Sequence, residues 1–153
     1  MTSRLLSAVP LLAVADIDRG VAFWRDNLRF DAVYVDGDTA VLKRDDVSLH
    51  LWRCADRTIA QNTACRMQVD GIDQLYAHCR ARDIVHPNGA LALKPWGLRE
   101  FTAIDPQGGA ITFFEQPPRS EGSARHKKMD ADRGGFRCPS PLTHLEKLDP
   151  ERF

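Results

Sequence analysis

The sequence predicts an α+β chain of two paired βαβββ modules that form a curved-sheet cleft. Strand and helix signals run β-α-β-β-β and then recur in the same order. The strand-to-helix joins also echo one another, Val14-Ala15-Asp16-Ile17-Asp18 against Val69-Asp70-Gly71-Ile72-Asp73. A repeat of this kind decides architecture before any single motif does. One helix per module covers one sheet face and leaves the other free to line a cleft. The 153 residues, 43% of them hydrophobic, suffice for one packed core.

The elements follow in order. Val9 to Val14 is an apolar run of strand length. Asp16 reads as an N-cap, and Ile17, Val21, Ala22, Trp24 and Leu28 recur at helical spacing. Phe30 to Val35 predicts a strand, and the turn Asp36-Gly37-Asp38 leads into another over Thr39 to Lys43. Asp45-Asp46 turns the chain into a strand at Val47 to Arg53. The second module opens with a strand at Ala64 to Val69, and Asp70-Gly71-Ile72-Asp73 starts a helix through Leu75, Tyr76, Cys79 and Arg80. Strands are expected near Ala90 to Lys94 and over Glu100 to Asp105. The turn Asp105-Pro106-Gln107-Gly108-Gly109 precedes the last one, Ala110 to Glu115. Residues 1–116 form this domain. Pro117-Pro118 ends it, and 117–153 is a polar, mildly basic tail expected to be flexible, with a short helix possible at Thr143 to Leu148.

Composition excludes several function classes. The chain holds 21 basic and 21 acidic residues, 13 and 15 of them within the first 116, so neither nucleic acid nor an anionic membrane is an expected partner. No apolar run approaches the roughly 20 residues of a membrane span, and the N-terminus lacks the apolar stretch of a signal peptide. A cytoplasmic protein is expected. Cys54, Cys65, Cys79 and Cys138 stand too far apart for a zinc ribbon or redox dithiol, so four free thiols are expected, three of them partly buried. His78, His86, His126 and His144 fall on a helix, in a loop and in the tail, where a solvated or satisfied side chain is expected. No Ser/His/Asp or Cys/His nucleophile pattern is present, and Gly108-Gly109 is a hairpin device.

Strand alternation sorts side chains by face. Leu49, Leu51, Ile111 and Phe113 point to the core, whereas Ser48, His50, Trp52, Thr112 and Phe114 point to the open side with Ala64, Arg66 and Gln68. Such a set suits a flat heteroaromatic ligand with polar arms. Phe23, Trp24 and Phe101 are expected in the core. Trp96, between Pro95 and Gly97, is expected to be presented from a loop.

The string Ala22-Phe23-Trp24-Arg25-Asp26-Asn27-Leu28-Arg29-Phe30 resembles the signature of the vicinal-oxygen-chelate superfamily, which holds glyoxalase I, thiol transferases, extradiol dioxygenases and bleomycin-binding proteins. Arg29 stands where that signature carries glycine, so a left-handed turn is not expected there. Arg44 to Leu49, Asn62-Thr63, Gly71 to Ala77, and Pro95 to Phe101 through Asp105-Pro106 look like segments of the bleomycin-binding proteins. The resemblance implies a metal-free protein that sequesters a bleomycin-type antibiotic without modifying it. The four metal-ligand positions of the superfamily's enzymes fall on Val9, His50, Ala64 and Thr112, and only His50 ligates well. No cofactor and no catalytic residue are expected. By the same resemblance Tyr34 and Trp96 are groove aromatics, while Thr39 replaces a phenylalanine and Arg66 a tryptophan. The expected ligand-binding residues are Tyr34, His50, Trp52, Asn62, Arg66, Gln68, Trp96, Arg99, Thr112 and Phe114. A homodimer with an exchanged N-terminal arm is implied, with Pro10 at the hinge. Two alternatives stand beside this reading: a metal-dependent glyoxalase-like lyase or dioxygenase, and an interaction module without a small ligand.

Overall fold

The structure, a computed structural model, describes residues 3–116. Eight strands and three helices follow in the order β1 (Leu11–Val14), α1 (Ile17–Leu28), β2 (Asp31–Val35), β3 (Thr39–Arg44), β4 (Val47–Arg53), α2 (Arg57–Gln61), β5 (Ala64–Gln68), α3 (Ile72–Ala81), β6 (Ala92–Leu93), β7 (Arg99–Ile104) and β8 (Ala110–Glu115). They make two four-stranded sheets, ordered β1-β4-β3-β2 and β5-β8-β7-β6. In each sheet the first strand pairs parallel with the last, β1 with β4 and β5 with β8, and the remaining pairs are antiparallel. The duplication expected from the sequence is therefore present strand for strand. The expectations about the tail, including the helix at 143–148, His126, His144 and Cys138, lie outside the described residues.

The helix α1 starts where Asp16 accepts a hydrogen bond from the Arg19 N–H at 2.8 Å, a cap that contributes about 1 kcal/mol. Its buried residues Ile17, Val21, Trp24 and Leu28 fall on one stripe against β2, β3 and β4. Arg29 ends it in the left-handed region (φ 56°, ψ 37°), with the Arg29 and Phe30 N–H groups bonded to the carbonyls of Arg25 and Trp24. This corrects the expectation drawn from the missing glycine. The paired carbonyl bonds hold an L-residue in a conformation that costs about 1–2 kcal/mol. The helix α3 has no side-chain cap of its own. Instead the Glu115 carboxylate, at the end of β8, accepts from the Gly71 and Ile72 N–H groups at 2.7 and 3.1 Å.

Two further departures from the sequence reading are local. Residues 57–61 form the short helix α2, capped by Asp56, where the sequence pattern assigns no element. The strand expected over Ala90 to Lys94 shrinks to the two residues of β6, because a turn at Pro95–Gly97 returns the chain almost at once.

One apolar core joins the two modules. It runs from Leu12 and Trp24 through Leu42, Leu49 and Leu51 to Ile72, Phe101, Ile111 and Phe113. Phe23, Trp24 and Phe101 are buried in it as expected. Trp24 meets Phe23 and Phe30 edge-on at centroid distances of 6.0 and 5.1 Å. The helices also touch: His78 Nε2 donates to the Asn27 carbonyl at 2.8 Å, which leaves Nδ1 to accept from Arg82 at 3.2 Å. The modules thus meet through their helix-covered sides, and each sheet keeps its other face open.

Candidate ligand-binding faces

On the first sheet, register sets one row of side chains across the open face. Leu11 pairs with His50, His50 with Val41, and Val41 with Tyr34. A register shift between Ala32 and Tyr34 places Val33 as an extra residue, and Tyr34 thereby joins this row. The neighbouring row carries Thr39 and Trp52. His50 and Trp52 are half-buried, whereas Leu11 and Tyr34 are 57% and 54% exposed. The Tyr34 hydroxyl donates to Asp36 Oδ2 at 2.6 Å, which raises the phenol pKa and lowers that of the carboxylate. This leaves the ring held at the sheet edge with its face uncovered.

On the second sheet the open face carries Ala64, Arg66 and Gln68 from β5, Glu100, Thr102 and Ile104 from β7, and Ala110, Thr112 and Phe114 from β8. The alternation read from the sequence holds here, with Cys65, Met67, Phe101, Ile111 and Phe113 buried on the other side. The residue that sequence reasoning missed is Glu100, only 3% exposed. Its carboxylate pairs with Arg66 and accepts from Trp96 Nε1 at 2.9 Å. The Arg66 guanidinium in turn lies over the Phe114 ring, 5.2 Å from its centroid. Counting back from Phe101 would have placed Glu100 inward on the open face, opposite Phe114. Trp96 is 57% exposed, presented from its loop by this one polar tether.

Eight of the ten expected site residues therefore divide between two faces: Tyr34, His50 and Trp52 on one, and Arg66, Gln68, Trp96, Thr112 and Phe114 on the other. Among the described residues no hydrogen bond, ion pair or ring contact joins the two groups. The other two sit elsewhere. Arg99 alternates to the helix-covered side with Phe101, where Asp73 binds it through two bonds of 2.7 and 2.6 Å and Glu115 lies at 3.5 Å. The mutual bonding lowers the Asp73 pKa and raises that of Arg99. The Asn62 amide donates to the Thr58 carbonyl and closes α2.

The positions that the sequence resemblance marks for metal ligands do not fit one. Val9 and Ala64 carry no lone pair, and the Thr112 hydroxyl is engaged with Thr102 at 3.1 Å. Among the described residues no three His, Cys, Asp or Glu side chains converge.

No protein-family model matches the chain. It is 35% identical over 129 residues to the bleomycin resistance protein of Geobacillus stearothermophilus, covering 73% of this chain and 98% of that one. The bleomycin resistance protein of Staphylococcus aureus gives the same figures. Among solved structures, the bleomycin-binding protein of bleomycin-producing Streptomyces verticillus, complexed with copper(II)-bleomycin, superposes with a TM-score of 0.65. It is 32% identical, with 73% of this chain and 97% of that chain covered. A glyoxalase/bleomycin resistance protein of Catenulispora acidiphila shares the fold at a TM-score of 0.59 and 22% identity, with 74% of this chain and all of that chain covered. Sequence identity along nearly the whole length of the curated relatives, with the same paired-module fold, makes this chain a member of the bleomycin resistance protein family.

Proposed function

We propose that this chain binds a bleomycin-type glycopeptide and confers resistance by sequestering it, with no chemical step and no cofactor, in the cytoplasm. The observation that carries the reading is the presentation of large, exposed aromatic side chains on the open faces. Trp96 and Tyr34 remain more than half exposed although each is fixed by a hydrogen bond. Exposed aromatics held in place lose little entropy when a flat ligand stacks on them. The lyase or dioxygenase alternative finds no ligand set at Val9, Ala64 and Thr112. No helix among the described residues is long and apolar enough to cross a membrane.

The active form in this proposal is a homodimer in which one copy's first open face opposes the second open face of its partner. Each face alone is a shallow sheet surface, and the opposing pair makes a groove of the kind that buries a drug-sized ligand. Pro10 is the proposed hinge of an exchanged arm. In the single chain β1 closes on its own β4, and the register of Leu11 with His50 would form equally well between copies. Titration of bleomycin into the full chain, followed by intrinsic tryptophan fluorescence, should show saturable binding. Mass spectrometry of the released drug should show an unchanged mass. Light scattering at micromolar concentration should give the dimer mass. No saturable binding, or a modified drug, would refute sequestration, and a monomer mass would refute the shared groove.

A further inference from the structure

We infer that Arg66 is a specificity-determining residue of the second open face. It acts as a resident cation beside Trp96 and Phe114, so this face takes a flat heteroaromatic ligand whose end is neutral or anionic in preference to cationic. The inference rests on the ligand-binding reading above and names the ligand chemistry of one face.

Three observations lead to it. First, the charged residues that β5, β7 and β8 turn to the open side are Arg66 and Glu100, because the other inward positions hold Ala64, Gln68, Thr102, Ile104, Ala110, Thr112 and Phe114. With Lys94 in the adjoining loop, the face offers, among the described residues, no carboxylate other than Glu100. Second, Glu100 is already committed. It is 3% exposed, and a single oxygen, Oε1, accepts from both Arg66 Nη2 and Trp96 Nε1. A cation arriving beside Trp96 would meet a carboxylate whose field is cancelled by the guanidinium at similar range. Displacing Arg66 would strip the partner from a buried charge. Third, Arg66 has donors to spare. Its side chain is 51% exposed, and among the described residues its hydrogen bonding is confined to the one from Nη2. A guanidinium carries five N–H groups in a planar fork that matches a carboxylate or a carbonyl. The guanidinium also lies over the Phe114 ring, 5.2 Å from its centroid, so its charge sits on the aromatic part of this face.

The test uses the full chain and two probes sharing one bithiazole ring pair, one ending in a carboxylate and the other in a protonated aminopropyl amide. Bleomycin, whose tail is cationic, is titrated alongside. Dissociation constants are read from tryptophan fluorescence, and melting curves establish that each variant is folded. The unaltered chain should bind the carboxylate probe about tenfold tighter than the amine, a difference of about 1.4 kcal/mol. Arg66→Lys keeps the charge and should keep the direction of the preference. Arg66→Gln should erase or reverse it and tighten bleomycin binding by about tenfold, because Glu100 is then unneutralised. Equal affinities in the unaltered chain, or a ratio unchanged in Arg66→Gln, would overturn the assignment of Arg66 while leaving ligand binding intact. Failure of bleomycin and both probes to bind would overturn both.

Discussion

Replacing Trp96 by alanine separates a presented aromatic from a structural one. The ring is 57% exposed, which for a tryptophan burying up to about 250 Å² leaves about 140 Å² available to a ligand. A ligand covers one ring face, roughly half of that area, contributing about 1.8 kcal/mol at about 25 cal/mol per Å². Stacking adds about 0.5–1.5 kcal/mol. Trp96→Ala should therefore weaken bleomycin binding by about 2–3 kcal/mol, or about 30- to 150-fold. Folding loses the bond from Nε1 to Glu100. Such bonds to a charged group are worth about 1.5–3 kcal/mol, and the remaining Arg66 partner keeps the loss near the lower end. The control is Trp24→Ala: that ring is 1% exposed, and its removal should cost about 3–5 kcal/mol of stability. Urea unfolding and fluorescence titration of both variants provide the comparison, with Trp52 as the remaining reporter at the first face. If Trp96→Ala destabilises the protein as much as Trp24→Ala while the folded variant binds normally, the assignment of Trp96 to the ligand face is wrong.

Other predictions concern the scaffold. Arg29→Gly should stabilise the protein by up to about 1 kcal/mol in urea unfolding, because the residue sits at φ 56° with its cap bonds made by the backbone. A destabilised variant would mean that the arginine side chain contributes something its exposed position does not show. Asp105 has a pKa raised above 3.8, chiefly by burial, although its Oδ1 accepts from the Gln107 and Gly109 N–H groups. The folded state therefore holds the proton more tightly than the unfolded state. Its contribution to stability is full below the unfolded pKa and is lost as pH rises through the folded one. Asp105→Asn keeps the Oδ1 acceptor and removes the titration. Its melting temperature relative to the unaltered protein should climb as pH rises above 3.8, and a flat difference would contradict the burial argument. Burial pushes the thiol pKa of Cys65 to about 12 and that of Cys79 to about 11. At pH 8 a thiol reagent should label the half-buried Cys54 well before these two. Peptide mapping showing early labelling of Cys65 would refute this.

Where the chain's local chemistry is self-sufficient, the sequence already contained the answer. Asp16 caps α1 by its own side chain, and Leu49 and Leu51 alternate against His50 and Trp52, so helix start and strand facing were both readable. What escaped reading depends on partners remote along the chain. Glu115 caps α3 from the far end of the module, and no signal at Gly71 announces it. A glutamate within an alternating strand suggests solvent, and only Arg66 and Trp96 closing over Glu100 make it a buried centre. The placement of Arg99 in the site came from a resemblance of strings, whereas its parity with Phe101 sends it to the helix side. The separation of the site residues onto two faces follows from packing between modules, which no local pattern encodes.

The parallel pairing of each module's first and last strands also sets an order of events in time. The strands β2, β3 and β4 are joined by short turns and can zip as a meander while the chain is still being made. β1 can pair only once β4 has been made, and a helix and two hairpins lie between Leu11 and His50 in the chain. Closing so long a loop is entropically costly and slow relative to a local hairpin. During that interval the β4 edge offers an unfilled row of backbone groups, and in the proposed arm exchange a β1 strand from a second nascent copy would satisfy it with the same bonds. The ratio of self-closed to traded arms would then be fixed by chain concentration during synthesis more than by any difference in final energy. Protein refolded at high dilution should yield fewer joined pairs than protein taken directly from the ribosome-crowded cell.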